Sequence, residues 1–240
     1  MKRSFALLAP LALVLVAVAF EVPASAYEIA EVKNGGTITG RVYFEKDYPK
    51  PERKKVTRDN NVCGIRMTSE EFVVDPKSKG LANAVLVLEG IEKGKAFPKD
   101  DKTLDQLKCR YSPHVMVKQT KTTLVVVNKD PILHNIHAYL GDRTLFNLAQ
   151  PIQNQVTKKK LRRKGVVRVG CDVHDWMESY VLIVDNPYYG ITDRQGNFKI
   201  TDVPPGDYTL KMWQEVLGES TKKVAVKAGK SAKVDFLIGE

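Results

Sequence analysis

Alternation with a period of two runs through most of this chain and restricts it to β structure. "GTITGRVYF" (36–44) alternates and is rich in β-branched residues, and "LANAVLVLEGI" (81–91), "HVMVKQ" (114–119) and "TTLVVVN" (122–128) follow the same rule. So do "VVRVG" (166–170), "YVLIVD" (180–185), "FKIT" (198–201), "YTLKMW" (208–213), "KKVAVKAG" (222–229) and "AKVDFLI" (232–238). Successive side chains of a strand point to opposite faces, so this spacing sends every second residue to one face of a sheet. Turn signals separate the runs: Lys129-Asp130-Pro131, Asn186-Pro187, Asp193 to Gly196, Pro204-Pro205-Gly206 and Gly229-Lys230. Short strands with frequent punctuation predict an all-β sandwich. Only 69–73 ("SEEFV") and 102–108 ("KTLDQLK") read as helical, and both are short.

The order of the segments divides the chain. Lys2 and Arg3 precede an apolar run from Phe5 to Phe20, and Ala24-Ser25-Ala26 follows as a small-residue cleavage pattern. Residues 1–26 therefore read as a secretory signal peptide, which predicts an exported, periplasmic protein. The run is short for a membrane span and contains Pro10. Residues 27–186 form one expected domain and 187–240 a second, smaller one, because the pattern "GITDRQGNFKITDVPPGDYTLKMW" begins just beyond Asn186-Pro187. With no Gly/Ser-rich linker between them, the two are expected to pack rigidly. The hydrophobic fraction of 43% suffices for packed cores. Formal net charge is +10, or +9 without Lys2, Arg3 and Glu21. Export makes nucleic acid an unsuitable partner for that charge and leaves an acidic protein or an anionic lipid surface. The basic run "KKKLRRK" (158–164) approaches Gly165 as a charge-blunted edge strand or as a docking patch for an acidic partner.

Three cysteines in an oxidising compartment leave one without a disulfide partner. If Cys63 and Cys109 pair, the bridge contributes roughly 4 kcal/mol by restricting the unfolded chain, and Cys171 is the odd one; the alternative is that Cys171 pairs with one of the others. Cys171 sits in "GCDVHDWM" (170–177), with His174 three residues on and Met177 three beyond that. A tight loop can turn all three toward one point. Two more of the four histidines lie in "DPILHNIHAY" (130–139), where Pro131 ends the preceding strand and a loop can present His134. His137 is the alternative to His134, and His114 reads as an ordinary strand histidine. Thiolate, imidazole and thioether form a soft donor set. Two His and one Cys with a weak axial Met suit copper, whereas structural zinc sites use Cys and His alone and calcium or magnesium prefers oxygen.

"LHNIHAY" followed by "CDVHDWM" resembles the small blue-copper proteins (cupredoxins), amicyanin-like in its Cys-x-x-His-x-x-Met spacing, over roughly residues 112–185. The resemblance implies a Greek-key β-sandwich in which His134, Cys171, His174 and Met177 bind one type 1 copper. It further implies that Asn135 stiffens the site near the cysteine sulfur and that the edge of His174 nears solvent. Val173 and Asp175 stand where amicyanin has prolines. Residues 187–240 resemble carboxypeptidase regulatory-like (transthyretin-like) β modules. The function implied is single-electron transfer without catalysis, with a redox protein docking near His174 and Trp176 and the basic strand. The alternative is a non-catalytic scaffold subunit of an envelope complex in which copper is structural or absent.

Overall fold

The computed structural model describes residues 27–239; the expected signal peptide lies outside the described residues. The regular structure is nearly all strand. Among the described residues the one α-helix is a single turn, Asn60–Cys63. The two segments expected to be helical are not. Residues 104–106 form a strand, and 69–73 are irregular.

Two sandwiches hold most of the strands; Glu28–Ile29 with Lys93–Gly94 and Arg53–Lys55 with Arg66–Thr68 form separate two-stranded sheets. In the first sandwich, a five-stranded sheet runs in the order Arg143–Gln150, His134–Leu140, Gly165–Gly170, Glu178–Val184, Val115–Gln119. A four-stranded sheet, ordered Val156–Lys160, Thr123–Asn128, Leu104–Gln106, Tyr111–Ser112, faces it. Leu124, Val126, Ile136, Ala138, Val167, Val169 and Val181 fill the space between. In the second sandwich, Tyr189–Ile191, Val85–Glu89, Gly206–Gln214 and Gly218–Val226 form one sheet. Gly36–Phe44 is central in the other, between Asn197–Val203 and the parallel strands Ser231–Lys233 and Phe236–Ile238. A Cβ on Gly40 would lie 1.8 Å from the Val234 carbonyl oxygen, which explains a glycine in mid-strand.

This pairing corrects the expected division at residue 186. The N-terminal strands Gly36–Phe44 and Val85–Glu89 belong with residues 187–240, not with the strands of residues 104–184. The first sandwich, from about residue 104 to 184, is thus inserted between two parts of the second. Alternation showed that these runs were strands but not which strands they would pair with.

The sandwiches share a buried seam of Val85, Val87, Val115, Val117, Leu182, Val184 and Trp213. In Glu178–Val184 the side chains of Val181 and Ile183 enter the first core while Leu182 and Val184 enter the seam. Burial on both faces explains the unbroken apolar run "VLIV". At the rim of the seam His114 Nε2 lies 2.6 Å from Glu215 Oε1, joining the two sandwiches.

The basic run begins in an edge strand, as one of its two readings expected, and then leaves the sheet. Val156–Lys160 is an edge strand pairing with Thr123–Asn128 in one sheet, whereas Gly165–Gly170 belongs to the other. Residues 161–164 therefore cross between sheets, and buried Leu161 anchors the crossing.

Candidate metal centre

His134 is the first residue of its strand, not a loop residue as expected. With Ile136 and Ala138 it points into the first core and is fully buried. His137, an odd number of positions away, faces outward. It contacts Asp172 at 2.9 Å and Thr144 at 3.0 Å and stacks on Tyr139, so strand geometry separates it from the centre.

The loop before His134 is fixed by its own polar groups. Asn128 Oδ1 accepts from the Asp130 backbone N–H, and Asn128 Nδ2 donates to the carbonyls of Ile132 and Gln150. The buried Asp130 carboxylate accepts the backbone N–H groups of Lys108 and Cys109 at 2.7 and 2.8 Å. It also accepts from His134 Nε2 at 2.9 Å. Cys171 follows the end of Gly165–Gly170, and the next turn closes through Met177 N–H donating to the His174 carbonyl at 2.9 Å. That turn brings His174 back beneath Cys171. Asn135 ties the two segments together: its Oδ1 accepts the Asp172 backbone N–H at 2.6 Å, and its amide donates to Asn147 and Asp172.

His134, Cys171 and His174 each offer a donor atom within 4.8 Å of the other two. The two Nδ1 atoms are 3.0 Å apart, and Cys171 Sγ is 3.8 Å from His174 Nδ1. Met177 is buried in the same core cluster as Cys171. His174 Nε2 lies 3.0 Å from Asp59 Oδ2. A carboxylate can only accept, so each Nε2 carries the proton and donates it to its aspartate. Both Nδ1 atoms then present lone pairs to each other, and neither can satisfy the other. A shared cation resolves that conflict, and the adjacent thiol makes the donor set soft. The residues present therefore fit a soft metal ion. Each imidazole faces a carboxylate, a pairing that fixes its tautomer.

Protonation tendencies agree with this reading. Burial holds His134 below the usual imidazole range; Asp130 opposes that effect and nearby His174 adds to it. Burial pushes the Cys171 thiol up, while the backbone N–H groups of Asn135, His174 and Val173 pull it down. Without a cation His134 and Cys171 favour their neutral forms, so a metal held by the thiolate would displace the thiol proton.

Four features differ from the sequence expectation or add to it. The edge of His174 does not near solvent: the ring is fully buried and Asp59 closes it. Cys63 and Cys109 form a disulfide whose sulfurs lie within 4.8 Å of a ring nitrogen of His174. The two orienting aspartates were also missed. Asp130, four residues before His134, had a local signal; Asp59, 115 positions from His174, had none. His114 is not an ordinary strand residue but the interdomain contact described above.

The class that emerges is an all-β sandwich with a buried His–Cys–His group at one end. The family model described as polysaccharide lyase family 4, domain II matches residues 161–234, less than half the chain and across both sandwiches. Among solved structures, a purple cupredoxin from Nitrosopumilus maritimus is 25% identical, with 31% of this chain and 81% of that one covered and a TM-score of 0.29. A reduced Cu(I) form of an amicyanin mutant is 20% identical over 36% of this chain and 86% of that one, with a TM-score of 0.32. A copper-containing nitrite reductase from Thermus scotoductus SA-01 is 17% identical over 38% and 24%, with a TM-score of 0.31. No curated protein matches the chain. Among the described residues no helix is long and apolar enough to cross a membrane.

Proposed function

We propose that this is an exported, periplasmic type 1 copper protein that carries single electrons and transforms no substrate. The observation that carries the reading is the pair of facing Nδ1 atoms, 3.0 Å apart, with a buried thiol sulfur 3.8 Å from one of them. Copper, when bound, supplies the one-electron couple. The protein's part is to hold His134, Cys171, His174 and Met177 in one arrangement for both oxidation states. Asp130 and Asp59 keep the two imidazoles from turning, and Asn135 keeps the two segments in register. Using all four side chains as ligands leaves no open position for a substrate, which is the reason for reading a carrier rather than an enzyme.

The partner surface divides in two. Arg143, Lys159, Lys160, Arg162 and Arg163 cluster around a groove with an apolar floor of Leu140, Leu145 and Phe146. Among the described residues none of these cations has a carboxylate within 4.0 Å, whereas neighbouring Lys164 pairs with Asp185. This charge favours an acidic protein partner and would weaken with salt. The groove lies at the Leu140 end of the strand that begins with His134, about 20 Å away at the rise of an extended strand. It steers or tethers a partner, while electron exchange occurs at the other end.

The test is purification from the periplasm with copper analysis and a visible spectrum. One copper per chain and an intense thiolate-to-Cu(II) charge-transfer band are expected after oxidation. Copper-loaded, oxidised protein without that band would leave the scaffold reading in place.

A further inference from the structure

We propose that electrons reach and leave the metal centre through the indole of Trp176, and that the segment Asp59–Gly64 is a strap closing the imidazole edge of His174. This rests on the copper reading above. The inner ends of all possible routes are buried: His134 and His174 are fully enclosed, and Cys171 and Met177 are 5% and 2% exposed. Behind His134 stands Asp130, itself 3% exposed. Beyond the Nε2 edge of His174 stands Asp59, at the start of the helical turn Asn60–Cys63. Cys63 pins that turn to Cys109. Asn60 adds to the pinning by donating to the carbonyls of Val56 and Gly64.

One ring leads outward. The Trp176 centroid is 5.2 Å from that of His174, and the planes are tilted by 57°. Trp176 Nε1 donates to the Cys109 carbonyl at 3.1 Å, so the disulfide segment fixes the indole as well as the strap. The indole is half-buried and opens on a surface cleft with Lys54, Glu70, Arg110 and Asp175. Among the described residues no other aromatic ring contacts either imidazole of the centre. In each exchange one electron crosses His174 and Trp176 between the centre and an external one-electron reagent; no bond forms or breaks and no proton moves. The cleft carries both signs of charge, so the route serves reagents of either sign.

The strap is tested in metal-free protein by acylating histidines with diethyl pyrocarbonate and mapping them by mass spectrometry. His174 should resist, and Asp59→Ala, or Cys63→Ser with Cys109→Ser where that protein folds, should make it reactive. Modification of His174 in the wild type as fast as the outward-facing His137 overturns the strap. The route is tested by exchange kinetics with ferricyanide and with hexaammineruthenium on copper-loaded protein. With the visible band and potential unchanged, Trp176→Leu should slow both reagents about tenfold, equal to ~1.4 kcal/mol of barrier, and Trp176→Phe should stay within about twofold of wild type. Trp176→Phe keeps a ring against His174 but loses the bond to Cys109, so a merely structural role would perturb both variants alike. A wild-type rate in Trp176→Leu with its band intact overturns the route alone. Absence of the band from the wild type overturns the copper reading, and the route with it.

Discussion

The two sandwiches share an architecture and differ in what they bury. The second encloses Ile38, Leu81, Leu86, Leu88, Tyr188, Ile200 and Leu210 with few polar side chains. The first encloses Gln106, Asn128, Asp130, His134, Gln150 and His174 among its apolar residues. Burying polar groups is costly unless each finds a partner. Here most do, through the Asn128–Asp130–His134 chain and the Tyr111 hydroxyl, which donates to the Asn135 carbonyl at 2.7 Å. The oxygens Gln106 Oε1 and Gln150 Oε1 remain unpaired. On the reading proposed above, the second sandwich is a frame, and the first gives up stability to hold a site that a cation would satisfy better than its own groups do.

The largest effect that would break this contrast is Cys171→Ser. It should abolish the charge-transfer band outright while leaving the β-sheet circular dichroism of both sandwiches intact. A variant that kept the band would show that the thiolate is not a ligand. Next is Leu86→Ala, in the frame. Leu86 is fully buried, so truncation should cost about 2–5 kcal/mol in denaturant unfolding. Because the seam joins the sandwiches, the metal-free protein should then unfold in one transition at lower denaturant. Two separated transitions would show that the seam does not couple them.

Legibility followed the range of the physics. Period-two alternation is local, so the strands were readable from their own residues, including those flanking the metal loops. His134, Cys171 and His174 stood out because strand ends and short spacings place them without reference to the rest of the fold. The segment 102–108 misled because Leu104 and Leu107 are spaced as on a helix face. In the strand, Leu104 and Gln106 are buried and Leu107 is exposed. The membership of the second sandwich was hidden for another reason. Gly36–Phe44 pairs with residues more than 150 positions later, and no local pattern encodes a partner. The same distance hid Asp59, whose role depends on a disulfide bringing Cys63 to Cys109.

Within the site, the two orienting carboxylates are unequal. Asp130 is buried and holds two backbone N–H groups as well as His134; Asp59 is 39% exposed at its side chain. Asp130→Ala should weaken copper affinity about 10–100-fold, or ~1.4–2.7 kcal/mol. Asp59→Ala should weaken it less, because water can replace the acceptor. Competition titration against a chelator ranks the two, and equal losses would contradict the claim that burial decides.

The smallest effect concerns the joint between the regions. His114 is enclosed at the rim of the seam: Nδ1 donates to the Glu178 carbonyl at 3.2 Å, Nε2 faces Glu215, and Tyr180 packs edge-on. Burial pulls its pKa down, but the hydrogen bond and charge of Glu215, the charge of Glu70 and the Glu178 carbonyl together outweigh it, so the net direction is up. Glu70 also pairs with Arg110, which tempers its share. A histidine whose folded pKa is raised binds more protons in the native state than in the unfolded one. The joint's stabilisation is therefore full below the ordinary imidazole pKa, near 6.5, and is lost as pH rises through the folded value. Each unit of elevation is worth about 1.4 kcal/mol. The His114 share of the metal-free protein's unfolding free energy, read as wild type minus His114→Gln, should thus decline from mildly acidic to mildly alkaline pH; His134, whose folded pKa is lowered, contributes the opposite slope in both proteins. Glu215→Gln should flatten the His114 share, because the neutral amide no longer favours the charged imidazole. A difference between wild type and His114→Gln that did not change with pH would mean that the proton-sensitive contact lies elsewhere and that the seam is held by its apolar residues alone.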